Sequence, residues 1–198
     1  MIGLQGLDKP FIGILATMLT IAAFLPYIRS IFRGQTRPHV FTWIIWGLVT
    51  GIAFLAVLQA GGGAGAWPIG VSFAVSLFIA GLAYVKRADV TITRTDWLLF
   101  VSALAAMPMW LAANDPLWAV VLITVIELLA FGPTLRKTWF SPHAESMNFL
   151  AILIVRNALI IAALDRQTLT TVLFPVASAA ACGLLIAIMA WQRPRVET

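Results

Sequence analysis

The sequence predicts an all-α integral membrane fold of seven transmembrane helices, arranged as two parallel three-helix bundles joined by a linker helix. Three observations carry this. The chain is 61% hydrophobic and only 11% charged, with a mean hydropathy of +0.96, whereas a soluble domain carries about 25% charged residues. Seven apolar runs, at 10–32, 39–60, 65–85, 96–112, 116–136, 146–164 and 168–191, are each long enough to cross a hydrocarbon core of ~30 Å. The first three runs also recur as the last three at a constant offset of 107. Together the runs leave no room for a soluble catalytic domain.

The first run is not read as a cleavable signal peptide, because "MIGLQGLDKP" lacks a basic start and the run continues through Pro26 to Phe32. The second run carries Trp43, Trp46 and Thr50. Trp46 lies about 10 Å from the end of its span, beyond the depth of an ordinary aromatic belt. The glycine segment "QAGGGAGAWP" (59–68) has neither the Lys-Ser/Thr ending of a phosphate loop nor a strand before it, and reads as a flexible extracellular turn. The third run places Ser72 and Ser76 one turn apart on one face. The fourth has no partner in the repeat. The fifth carries Glu127 and Pro133, the sixth Arg156 and Asn157, and the seventh Ser178 and Cys182 at the spacing of Ser72 and Ser76. As the single cysteine, Cys182 excludes a disulfide within the chain. His39 and His143 follow prolines at matching span ends, with no Cys or carboxylate spacing to suggest a metal site.

The repeat is ungapped across about 60 residues. Phe24, Pro26 and Arg29 fall on Phe131, Pro133 and Arg136. Pro68, Leu77 and Ala80 fall on Pro175, Leu184 and Ala187, and Thr17 falls on Thr124. Each unit holds three spans, so the odd fourth span restores a parallel orientation to the second unit. This divides the chain into a first bundle (1–90), a linker helix (91–115) and a second bundle (116–198). The basic residues are equally ordered. Arg29, Arg33, Arg37, Lys86, Arg87, Arg94, Arg136, Lys137, Arg193 and Arg195 share one side, while Lys9 and Arg166 lie on the other. The positive-inside rule then makes the N-terminus external and the C-terminus cytoplasmic. The net charge of +5 is thus a topology signal at a cell membrane, and no nucleic-acid partner is expected.

The 3+1+3 layout, the external N-terminus and a proline near the cytoplasmic end of the first helix of each unit resemble the SWEET and PQ-loop transporter superfamily. The namesake Pro-Gln pair reads Pro26-Tyr27 and Pro133-Thr134 here, which makes the chain a divergent member of that pattern. The resemblance implies a carrier with its substrate cavity near the bilayer midplane between the repeats. Trp46, Thr50, Ser72, Ser76, Asn157, Ser178 and Cys182 are the candidate cavity residues. Each has an alternative: a lipid-facing or core tryptophan, or small polar residues that let helices pack closely.

Glu127 and Arg156 lie at similar depth, the former roughly 13 Å in from Arg136. Ionisable groups at that depth are usually paired or face a water-filled cavity. A pair between neighbouring helices of one bundle is expected, either as a proton-coupling device or as a fixed structural bridge, with contact between Arg156 and a substrate anion as a third use. Pro26 and Pro133 remove backbone hydrogen bonds and are candidate hinges. The leading functional expectation is a carrier of a small polar metabolite (sugar, vitamin or nucleoside, or amino acid), with the lipid bilayer as its surroundings, no cofactor, and homo-oligomerisation open. The alternative is a receptor or binding protein of the same fold. An intramembrane enzyme is not expected, since no nucleophile-base pair or metal cluster falls within the spans.

Overall fold

In the computed structural model the described residues are 8–35, 38–86, 94–131, 135, 138–140, 142 and 146–196. Among them seven long α-helices run in chain order: α1 (Lys9–Phe32), α2 (Val40–Gln59), α3 (Trp67–Val85), α4 (Arg94–Ala113), α5 (Pro116–Ala130), α6 (Met147–Ala163) and α7 (Leu169–Val196). A 3-10 turn, Gly63–Ala66, precedes α3. By length and composition four segments can cross a membrane: Lys9–Phe32, Val40–Gln59, Gly63–Val85 and Leu169–Pro194; Phe100–Ala113, Pro116–Ala130 and Met147–Ala163 are shorter apolar helices. Phe11, Met18, Leu98, Leu111 and Leu129 stand exposed on the outer faces, a surface suited to lipid and costly in water. The molecule is a helical membrane protein.

Local chemistry sets the helix ends. Both α1 and α2 stop in a Schellman arrangement. Gly34 (φ +71°) and Gly61 (φ +77°) take the left-handed position, and Gln35 and Gly62 donate back to Ser30 and Val57 at 2.9 and 2.8 Å. Asp115 caps the start of α5, accepting from the Leu117 amide at 2.9 Å, and Pro116 follows as a first-turn proline. Ser146 caps α6 through the Phe149 amide. The run expected at 116–136 ends as α5 at Ala130, where Gly132-Pro133 follows in sequence and a proline disfavours helix just before it. Pro26, preceded by Leu25, lies inside α1, which continues to Phe32.

Contacts at the helix ends fix the directions. Lys86, just after α3, donates to the last carbonyls of α1 (Ile31 and Phe32, both 3.1 Å), so α1 and α3 finish at the same end. At the opposite end Lys9 meets Asp165 between α6 and α7 (3.8 Å between charges, 3.2 Å to its carbonyl), and the Asp165 amide donates to Gly62 between α2 and α3 at 3.2 Å. Thus α1, α3 and α7 all start at the Lys9 end.

Within the first half α3 lies between α1 and α2; in the second half α7 lies between α5 and α6. The halves meet where α1 packs on α6 and α2 packs on α5, and α4 lies against α2 and α5. Exchanging the halves therefore exchanges the two junctions. The cores obey the same register. One cluster joins Ile79 with Phe24, Ile28, Trp43, Trp46 and Leu82; the other joins Ile186 with Phe131, Leu135, Leu150, Leu153 and Met189, each 107 residues on from its counterpart.

Small residues bring the helices together. A β-carbon on Gly47 would meet Leu77 at 2.9 Å and one on Gly51 would meet Phe73 at 3.0 Å, so α2 and α3 approach closely. The segment expected as a flexible turn is instead packed. Ala64, Gly65 and Ala66 are buried against α1 and α6, and Gly65 sits so near Ile160 that a β-carbon would stand 2.8 Å from its carbonyl. Apolar alanines and β-carbon-free backbone let it fill the gap.

Candidate functional site

Arg156, near the middle of α6, is 8% exposed and points out of its own half. Its Nε donates to Thr20 Oγ1 on α1 at 2.9 Å; one terminal nitrogen donates to Ser72 Oγ at 2.6 Å and the Pro68 carbonyl at 3.3 Å, both on α3; the other donates to Asn157 Oδ1 at 3.2 Å. The guanidinium thus ties α6 to two helices of the first half. Of its five N–H groups, four find acceptors, and all four acceptors are neutral. The remaining N–H, on the nitrogen that meets Asn157, has none among the described residues.

The acceptors are themselves set in place. Thr20 and Ser72 donate to the carbonyls four residues back, Ala16 at 2.8 Å and Pro68 at 3.0 Å, which leaves their lone pairs turned to Arg156. Asn157, 1% exposed, turns its amide oxygen to the guanidinium, and its buried Nδ2 has no hydrogen-bond partner among the described residues. Leaving a buried donor unpaired costs about 1–3 kcal/mol.

Glu127 lies on the inward face of α5 with the buried Val120, Ile123 and Thr124, while Val125, Leu128 and Leu129 face outward. It is nevertheless only half-buried. The direct ion pair expected between Glu127 and Arg156 is not formed, and Glu127 makes no hydrogen bond among the described residues. The reason is the helix order. The expectation treated α5 and α6 as neighbours, whereas α7 runs between them. One turn before Glu127, Thr124 is 4% exposed and its Oγ1 has no partner among the described residues. This departs from Thr17, Thr20 and Thr50, whose hydroxyls all donate to a carbonyl four residues back at 2.7–2.8 Å.

The other sequence candidates are distributed around this cluster. Ser72 and Asn157 join it. Trp46 packs against Trp43 (ring centroids 5.0 Å apart) in the first-half core, and Cys182 is fully buried in the second-half core. Ser76 faces Gly47 across the α2–α3 contact, the close-packing use of a small residue. Thr50 is turned back onto its own helix, and Ser178 is buried on α7. Pro26 is exposed on α1, and Pro133 lies outside the described residues. Thr20 was not singled out from the sequence; its signal was there, since it is the register mate of Glu127. An apolar cleft of ≈ 590 Å³ lined by Leu55, Leu58, Met107 and Trp110 shares no residue with the cluster. Among the described residues no group of His, Cys, Asp or Glu could hold a metal ion. No family model, curated protein or solved structure matches the chain.

Proposed function

We propose that this chain is a membrane transporter that moves a small polar metabolite by alternating access, with a SWEET-like arrangement of two parallel three-helix bundles and α4 as linker. The observation that carries the reading is the set of Arg156 hydrogen bonds across the junction of the halves. A charged side chain buried where two repeats meet, held by neutral groups on the opposite repeat, is costly as a mere fastener and well suited to engage a solute as the halves rock. The repeated clusters around Ile79 and Ile186 support it, since each half keeps a corresponding cluster of its own beside the larger core that the two halves share. In this reading the protein sits in the cell membrane, N-terminus outside and C-terminus cytoplasmic, with Glu127 as the candidate coupling group and Pro26 and Pro133 as candidate hinges.

Reconstitution tests it. Purified protein in proteoliposomes is given radiolabelled sugars, amino acids, nucleosides and vitamins in turn. Saturable uptake of one class, absent from empty liposomes and reduced in Arg156→Gln, is expected. Binding of a solute without flux would replace the transporter by a receptor of the same fold.

A further inference from the structure

The lipid-facing surface is interrupted beside α4. This helix joins the core shared with α2 and α5 through Ala103 and Ala106, both fully buried. Pro108 follows, inside the helix. A proline has no N–H for the carbonyl four residues back, here that of Leu104, and its ring crowds that carbonyl, so the helix bends there. From Met107 to Asn114 no residue of α4 or its end is buried and Trp110 alone is partly so, whereas Ala56 and Val57 on α2 are fully buried. Between the two helices at this level lies the cleft of ≈ 590 Å³.

Its chemistry changes along its length. Leu55 and Leu58 of α2 face Met107, Trp110 and Leu111 of α4. The carboxamides of Gln59, which ends α2, and Asn114, which follows α4, stand at one end, and this is the Lys9 end of the molecule. At 1.5 Å per residue the apolar walls run inward by about 6 Å from Gln59 and about 10 Å from Asn114. No charged residue lines the cleft, and neither carboxamide makes a hydrogen bond among the described residues.

We propose that this cleft binds one glycerophospholipid of the bilayer, with an acyl chain laid between Leu55, Leu58, Met107 and Trp110 and ester carbonyls accepting from the Gln59 and Asn114 amides. The order of groups is that of a lipid: hydrogen-bonding esters at the membrane surface, hydrocarbon beneath them. Carboxamides supply the donors that esters lack, and the volume falls in the range of about 300–1,000 Å³ typical of small-molecule sites. Leu111, 77% exposed, leads from the cleft onto the outer surface, so the second chain stays in the bilayer. An uncharged lining has no hold on a phosphate, and binding is therefore indifferent to head-group charge. The site requires a bilayer and is independent of transport.

Native mass spectrometry of the purified full chain tests this, with the protein in mild detergent supplemented with palmitoyl-oleoyl phosphatidylcholine or phosphatidylglycerol. One lipid is expected to remain bound under activation that strips the others, with equal occupancy for the two head groups. Leu58→Trp fills the cleft and should lower that occupancy roughly tenfold. Gln59→Leu combined with Asn114→Gly, which keeps a residue suited to φ +50°, removes both amides and should lower it roughly fivefold or more. Met18→Trp, on the exposed face of α1, should leave it unchanged. Thermal melts establish that each variant is folded; if Leu58→Trp is not, the double variant decides. The proposal is overturned if no single lipid outlasts the rest, if the folded variants retain it as the wild type does, if phosphatidylglycerol alone is kept, or if an added sterol is retained and neither phospholipid is.

Discussion

Replacing Thr20 by valine removes one oxygen and almost no volume, and the structure supplies its own control. Thr17 and Thr20 both donate to the carbonyl four residues back, at 2.7 and 2.8 Å. Thr20 alone also accepts from Arg156, at 2.9 Å. Thr17→Val therefore reports the loss of a hydroxyl bonded within its helix, and Thr20→Val adds the loss of a charge-assisted bond between the two halves. Interhelical hydrogen bonds in membranes average ~0.6 kcal/mol, whereas bonds to charged groups run to roughly 1.5–3 kcal/mol. A buried guanidinium left with an orphan Nε–H belongs to the second range, so Thr20→Val should cost about 1.5 kcal/mol more than Thr17→Val. For a chain of 198 residues that is roughly 3–6 °C in melting temperature, read by thermal unfolding in detergent. In an Arg156→Gln background the difference between the two valine variants should shrink towards zero. Equal melting temperatures for the two single variants would refute the claim that Arg156 fastens the halves through Thr20.

Other expectations follow from the same contacts. Gly65→Ala puts a β-carbon 2.6 Å from Leu164 and 2.8 Å from the Ile160 carbonyl; overpacking of this kind costs about 1–3 kcal/mol, whereas Gly81→Ala, with nothing within 4 Å, should stabilise by up to ~1 kcal/mol through helix propensity, as a pair of thermal melts would reveal. Gly34→Ala meets no neighbour but must hold φ +71°, and should lower stability by roughly 1 kcal/mol from backbone strain alone. Lys86→Met removes the ammonium from the last carbonyls of α1 and should cost about 0.3–1 kcal/mol, less in high salt because the group is exposed. Cys182, fully buried, should react with a membrane-permeant maleimide far more slowly than in unfolded protein; equal rates by mass spectrometry would place it on an open surface instead.

The helical, apolar character of the fold was legible from hydropathy, and the offset of 107 that aligns Pro68 with Pro175 also aligns the cores; of the seven runs expected to span, four segments are long enough and three form shorter apolar helices. Trp43 and Leu150, or Leu82 and Met189, look unrelated as residues, yet each pair fills one place in its half. The site was half legible. Arg156, Asn157 and Ser72 stand out as polar groups in apolar runs, but hydropathy carries no information about which helices are neighbours. Assuming chain order put Glu127 beside Arg156, whereas the third helix of each half lies between the other two. Thr20 escaped notice because a mid-helix threonine usually satisfies itself, as Thr17 does. Its second role exists only through a residue 136 positions away. The glycine segment misled for a related reason: lack of side chains reads as freedom in a sequence, and serves close approach in the fold.

The central claim is that the junction around Arg156 opens to each side of the membrane in turn. Asn157→Cys in a Cys182→Ser background, in sealed right-side-out and inside-out vesicles, measures this with a membrane-impermeant maleimide. The account predicts labelling from both sides, with the balance between them shifted by a transported solute. Protection from both sides, with or without solute, while an exposed control such as Tyr84→Cys labels fully from its own side, would mean a closed structural core and would contradict it.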